Sequence, residues 1–177
     1  MGTVALFEQL QRLDALCRIN DRGLPAEKKV VENWVGVGFR INNISLITKM
    51  EDIAEILPPP DTSRVPGVKD WVVGLANVRG SLMPVLDMKA FLFGEATVFS
   101  KQSRVLVIKK LGMITSLLVE EVYGLRRFNP ELMKENIDES VGEISEYLAG
   151  TVNEQMNKWN IFSVEKLVKD EKFIRVV

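Results

Sequence analysis

From Trp34 onward, short apolar runs alternate with two-residue turn signals, and this spacing restricts the chain to folds made of small, hairpin-linked strands. Trp34-Val-Gly-Val-Gly-Phe-Arg-Ile41, then Asn42-Asn43, then Ile44 to Ile47 reads as a hairpin, because asparagine tolerates the positive φ of a two-residue turn. Asp52 to Leu57 follows as a strand. Pro58-Pro59-Pro60 and Pro66-Gly67 then force an extended connection, since proline has no N–H to offer a central strand. Val72 to Val78 and Leu82 to Leu86 pair around Arg79-Gly80-Ser81, and a short helix, Met88 to Phe93, stops at Gly94. Arg104 to Lys109, Ile114 to Val119 and Tyr123 to Phe128 give three more strands, the first two joined by Leu111-Gly112. Residues 129 to 147 read as an acidic loop. Gly150 to Gln155 and Trp159 to Phe162 form the last pair around Asn157-Lys158, and Ser163 caps a helix from Val164 to Lys169. The pattern predicts a mainly β chain built as barrels or a sandwich, not a parallel sheet with crossover helices.

Ahead of this region, Leu6, Leu10, Leu13 and Cys17 recur at spacings of four, three and four, which sets them on one face of a helix. Thr3 is a candidate cap, and Gly23 and Pro25 are the stop. The same stripe suits packing on the chain's own barrel and a helix-in-groove contact with a partner.

Composition narrows the chemistry. The chain has no histidine, so it lacks the usual base of hydrolytic triads and the commonest transition-metal ligand. One cysteine, Cys17, excludes an internal disulfide and a multi-cysteine metal cluster, as suits a reducing compartment. A formal net charge of −1, with both signs spread along the chain, offers no field for nucleic acid or an anionic membrane. Lys109-Lys110 and Arg126-Arg127 are the densest basic spots and read as solvated positions. The opening MGTVALFEQLQRLD turns polar too soon for a signal peptide, and no apolar run suits direct membrane insertion.

Three apparent motifs dissolve on inspection. Gly36-Val-Gly38 begins like a dinucleotide fingerprint, but Ile41 stands at the third glycine position and no helix follows. Ser163-Val-Glu-Lys166 has the spacing of some acyl-transfer enzymes without their companion motifs, and capping explains the serine. Glu120-Glu121 is a carboxylate pair with no specific signal. No enzyme, cofactor or metal is expected.

One run remains: Trp71-Val-Val-Gly74-Leu-Ala-Asn77-Val-Arg79-Gly80-Ser-Leu-Met-Pro84-Val-Leu-Asp87-Met. It resembles the signature of the CheW family at Gly74, Asn77, Val78, Arg79, Gly80, Pro84, Val85, Leu86 and Asp87. Lys49-Met50-Glu51-Asp52-Ile53, Val119-Glu120-Glu121-Val122 and Glu146-Tyr147-Leu148-Ala149-Gly150 continue the likeness over roughly residues 33 to 169. Leu10-Gln11-Arg12-Leu13-Asp14 and Gly23-Leu24-Pro25 look like the CheW-like adaptors of type IV pilus chemosensory systems.

The resemblance implies two interlocked five-stranded small β-barrels with short helices, a hydrophobic groove, and an N-terminal helical extension. It divides the chain into residues 1–30 as that extension, 31–170 as the CheW-like domain and 171–177 as a tail. It implies a cytoplasmic, non-catalytic adaptor that reaches membrane-bound receptor arrays through its partners. Those partners are the regulatory domain of a CheA-type histidine kinase and the cytoplasmic tip of a methyl-accepting chemoreceptor. The partner-binding residues it points to are Met50, Asp52, Val78, Arg79 and Gly80, with Arg79 expected to pair with Asp52. A flagellar chemotaxis member and a ligand-sensing barrel are the alternatives.

Overall fold

The computed structural model describes residues 34–137, 139–154 and 157–176, so the expected N-terminal helix lies outside the described residues. Among the described residues, eleven strands form two sheets. The first contains β1 (Trp34–Ile41), β2 (Ile44–Lys49), β8 (Glu121–Phe128), β9 (Met133–Lys134), β10 (Leu148–Glu154) and β11 (Asn157–Phe162), in the order β8-β1-β2-β11-β10-β9. The second contains β3 (Ile53–Leu57), β4 (Val72–Val78), β5 (Ser81–Asp87), β6 (Arg104–Lys110) and β7 (Met113–Val119), in the order β3-β6-β7-β5-β4. The chain leaves the first sheet after β2, completes the second, and returns at β8, which is how the two units interlock. The expected mainly β architecture of two interlocked units is present, with the two-residue β9 as a sixth strand in one unit.

Three tight turns carry the hairpins. Asn42-Asn43, Arg79-Gly80 and Leu111-Gly112 all have positive φ at both positions, the backbone that matches the twist of paired strands. Ser81, expected in the second of these turns, is instead the first residue of β5, because Asn77 accepts the Gly80 N–H at 2.8 Å and closes the turn one residue earlier. Asn157 and Lys158 likewise belong to β11, in register with Glu154 and Asn153.

The packing pattern reveals two barrel interiors and a shared core. One apolar cluster draws a residue from every strand of the first sheet, among them Trp34, Ile47, Phe128, Met133, Val152 and Trp159. A second draws from every strand of the other sheet, including Leu57, Val78, Met83, Val107 and Leu118. A third, larger cluster fills the space between the sheets with Phe39, Leu46, Leu106, Ile108, Leu117 and Phe162. β6 shows why both sides are needed. Val105 and Val107 enter the second barrel while Leu106 and Ile108 enter the shared core, so the strand is apolar without alternation, as expected of one covered on both faces.

The acidic stretch 129–147 is more structured than a loop. It contains a 3-10 turn at Pro130–Leu132, β9, and a kinked 3-10 segment at Glu139–Tyr147 that buries Ile144 and Tyr147 in the shared core. The C-terminal residues read as a tail also pack: the helical turn Glu171–Ile174, capped by Asp170, buries Phe173.

Two signature residues have architectural explanations. Gly74 adopts φ +151°, and a Cβ there would collide with the carbonyl of Ser63, whose backbone exchanges hydrogen bonds with Leu75 at 2.8 and 2.9 Å. Asp87 is buried and accepts from Lys89 N, Ala90 N, Thr97 N and Thr97 Oγ1 at 2.7–3.2 Å, capping the helix Met88–Phe93 and tying down the segment after it.

Candidate functional site

Strand directions gather the residues of interest at one end of the second sheet. β5 runs parallel to β7, each is antiparallel to its hairpin partner, and β3 is antiparallel to β6. The starts of β3, β5 and β7 therefore lie beside the ends of β4 and β6. That end carries the 3-10 turn Met50–Asp52, the Arg79-Gly80 turn and the Leu111-Gly112 turn.

Four large apolar side chains are exposed there: Met50 (49%), Leu82 (69%), Leu111 (64%) and Ile114 (51%). Single exposed apolar residues are ordinary, but these four share one end of the sheet and converge from three turns. Two ion pairs stand among them. Arg79 Nη2 meets Glu55 Oε1 at 2.5 Å, and Lys110 Nζ meets Asp52 Oδ1 at 2.6 Å. β3 and β4 are opposite edges of the sheet, so the Arg79–Glu55 contact exists because the sheet curls until its edges approach. The hydrogen bond that Lys110 Nζ donates to Asp52 holds the ammonium above its ordinary pKa.

These contacts correct the expected pairing. Asp52 does not meet Arg79: it is buried beneath Lys110, while Arg79 turns to Glu55. The register Ile53↔Ile108 sets the residues before β3 beside the end of β6, within reach of the lysine at 110. Of the five residues singled out in sequence, Met50, Arg79 and Gly80 are exposed, whereas Asp52 and Val78 are buried and act on this surface by shaping it. Glu55, Leu82, Leu111 and Ile114 were not read as site residues, and Lys110, read as a solvated position, instead pairs with buried Asp52. The signal for Leu111 was its place before Gly112, where a leucine in a positive-φ turn has no side-chain shelter.

Beside this end a groove runs between the sheets. A depression of about 200 Å³ has Asp52 and Lys110 on one wall and Ile161, Phe162 and Ser163 on the other. Through Lys49, Ala149 and Ile161 it adjoins a second of about 360 Å³ under Trp34, Pro130 and Met133. Elsewhere, Glu120 and Glu121 are structural: Arg40 on β1 reaches them at 3.4 and 3.3 Å, and Lys89 approaches Glu120 at 3.8 Å. Among the described residues no helix is long and apolar enough to cross a membrane.

Comparison with known proteins gives a consistent picture. The sequence profile of the CheW-like domain matches residues 35–172. Protein PilI of Pseudomonas aeruginosa is 34% identical over 170 residues, covering 96% of this chain and 95% of that protein. The chemotaxis protein CheW of Helicobacter pylori is 23% identical over 142 residues, covering 76% and 81%. Among solved structures, the scaffolding protein TtCheW from Thermoanaerobacter tengcongensis superposes with a TM-score of 0.70 at 18% identity, over 79% of this chain and 95% of that one.

Proposed function

The chain belongs to the CheW-like family, and from that premise we propose that it is a non-catalytic adaptor coupling a methyl-accepting chemoreceptor to a CheA-type histidine kinase in type IV pilus signalling. The observation that carries this reading is the convergence of Met50, Arg79, Leu82, Leu111 and Ile114 at one end of the second sheet. Arginine and methionine are enriched where proteins meet, and apolar side chains give the centre of such a surface its affinity. A face assembled from three separate turns fits a folded domain, and we assign it to the regulatory domain of the kinase. The depression between the sheets, apolar at Ile161 and Phe162, continues along the first sheet to Trp34 and Met133; this path fits the apolar stripe of a helix, and we assign it to the receptor tip.

The pilus assignment rests on likeness to PilI across nearly the whole chain, against lower identity to the chemotaxis protein CheW of Helicobacter pylori. The adaptor then works in the cytoplasm, at membrane-bound arrays that it reaches through its partners. Mixing the purified chain with kinase and receptor fragment tests the coupling: a ternary complex and altered kinase activity are expected, and their joint absence refutes it. Expression in Pseudomonas aeruginosa lacking PilI tests the pathway. Restored twitching supports the pilus reading, and restoration of swimming chemotaxis alone in a strain lacking CheW moves the chain to a flagellar system.

A further inference from the structure

An ion pair is out of place in the wall of a depression that otherwise suits the apolar stripe of a helix. Asp52 and Lys110 stand there, across from Ile161 and Phe162. Asp52 is 5% exposed, and its Oδ1 accepts from Lys110 Nζ at 2.6 Å. Exchanging a largely buried pair for apolar side chains of similar size is often neutral or favourable for stability, so the fold alone gives no reason for it. The pair also keeps unused hydrogen-bonding capacity. Among the described residues Asp52 Oδ2 accepts no hydrogen bond, and Lys110 Nζ donates to Asp52 alone. The depression is lined by two lysines, Lys49 and Lys110, and two carboxylates, Asp52 and Glu165, so its lining carries no net charge. Lys49 and Glu165 moreover have partners of their own in Glu51 and Lys169.

A helix seated in the depression cuts the remaining donors of Lys110 and the free oxygen of Asp52 off from water, which is costly unless the helix supplies partners. A carboxylate on the helix satisfies Lys110 but faces Asp52, and a cation does the reverse. A carboxamide satisfies both, its C=O accepting from Lys110 Nζ and its N–H donating to Asp52 Oδ2. Resting on the receptor reading above, we propose that the Asp52–Lys110 pair is the specificity determinant of this depression and recognises an Asn or Gln side chain on the receptor helix. A site that hydrogen-bonds its ligand rejects one lacking those groups, because its own polar atoms are then left unpaired. The contact fixes the register of the helix, as a single buried polar residue does between paired helices.

Titration calorimetry of the full chain against the cytoplasmic tip of a methyl-accepting chemoreceptor from the same organism is the test, with each Asn and Gln of the tip replaced in turn by Ala. One replacement is expected to weaken binding about tenfold or more, the loss of two hydrogen bonds to charged groups. Asp52→Asn/Lys110→Met should weaken it to a similar extent, and the two changes together should cost no more than either alone. Converting that one receptor residue to its acid should weaken binding further than Ala does, because a second carboxylate then faces Asp52. The ratio of the affinities of the unaltered and double-variant chains should stay constant as salt is raised, as a neutral occupant requires. The receptor-side replacements leave the fold of this chain untouched, and circular dichroism melting checks the fold of the double variant. Additive losses at every Asn and Gln, full affinity in the double variant, or a salt dependence that only the unaltered chain shows overturns carboxamide recognition and leaves the helix in the depression. No binding by the unaltered chain overturns both.

Discussion

Removing the positive charge at Lys110 should destabilise the protein far more than removing it at Arg79, although both ion pairs have short contacts. The difference lies in the partner. Asp52 is 5% exposed, so Lys110→Met leaves a carboxylate without its counter-ion and with little access to water. At 2.6 Å the gross attraction is roughly 6 kcal/mol for an effective dielectric of about 20, most of it offset by the desolvation that burial imposed. What remains when one partner is deleted is the stranded charge, at about 3 kcal/mol. For a chain of this size that is a fall in melting temperature of about 6–12 °C. Arg79→Met removes a pair whose arginine is largely in water, and should cost no more than about 1 kcal/mol. Urea unfolding by circular dichroism, with the midpoint compared at constant slope, measures both. The double variant Asp52→Asn/Lys110→Met should recover much of the loss, because the buried charge is gone. Equal destabilisation by Lys110→Met and Arg79→Met, or no recovery in the double variant, refutes the reasoning.

Asp87→Ala removes four hydrogen bonds to a buried carboxylate and should destabilise by roughly 3 kcal/mol, with hydrogen exchange accelerating first at Lys89, Ala90 and Thr97. Gly74→Ala forces a side chain against the Ser63 carbonyl at a backbone angle only glycine adopts freely; a loss of about 2–3 kcal/mol is expected in denaturant melts, together with the Ser63–Leu75 bridge. Burial, followed by the hydrogen bond it donates to Asp170, raises the Tyr147 phenol above its usual pKa, and Asp52 raises Lys110. Both groups bind protons more tightly folded than unfolded, so their contribution is complete below about pH 10 and drains as pH climbs through the folded values. Stability measured from pH 8 to 12 should fall at the alkaline end, and Tyr147→Phe should flatten that fall; an unchanged alkaline limb counts against the phenol's role.

Much of the fold was legible because its signals are local. Asn42-Asn43, Leu111-Gly112 and the Gly94 stop each report a backbone angle that few residues accept, and Ser163 shows its capping role by position. Residues 129–147 were harder, since short 3-10 turns have no hydrophobic period and Ile144 and Tyr147 look isolated until the shared core surrounds them. The site was legible in part for a related reason. Arg79 and Met50 stand out through resemblance, but the gathering of Leu82, Leu111 and Ile114 depends on which strands run parallel, and no single strand encodes that. The Asp52 partner was missed because choosing between Arg79 and Lys110 needs the register of β3 against β6.

The central claim is that this molecule acts by docking proteins, with the kinase at the exposed end of its second sheet. Amide chemical-shift mapping of the labelled full chain during titration with the kinase regulatory domain tests it most directly. Shifts are expected to concentrate at residues 50–55, 79–82 and 110–114 while the far ends of the same strands stay still. Perturbations confined to the first sheet, or a spectrum unmoved at saturating partner, would contradict it.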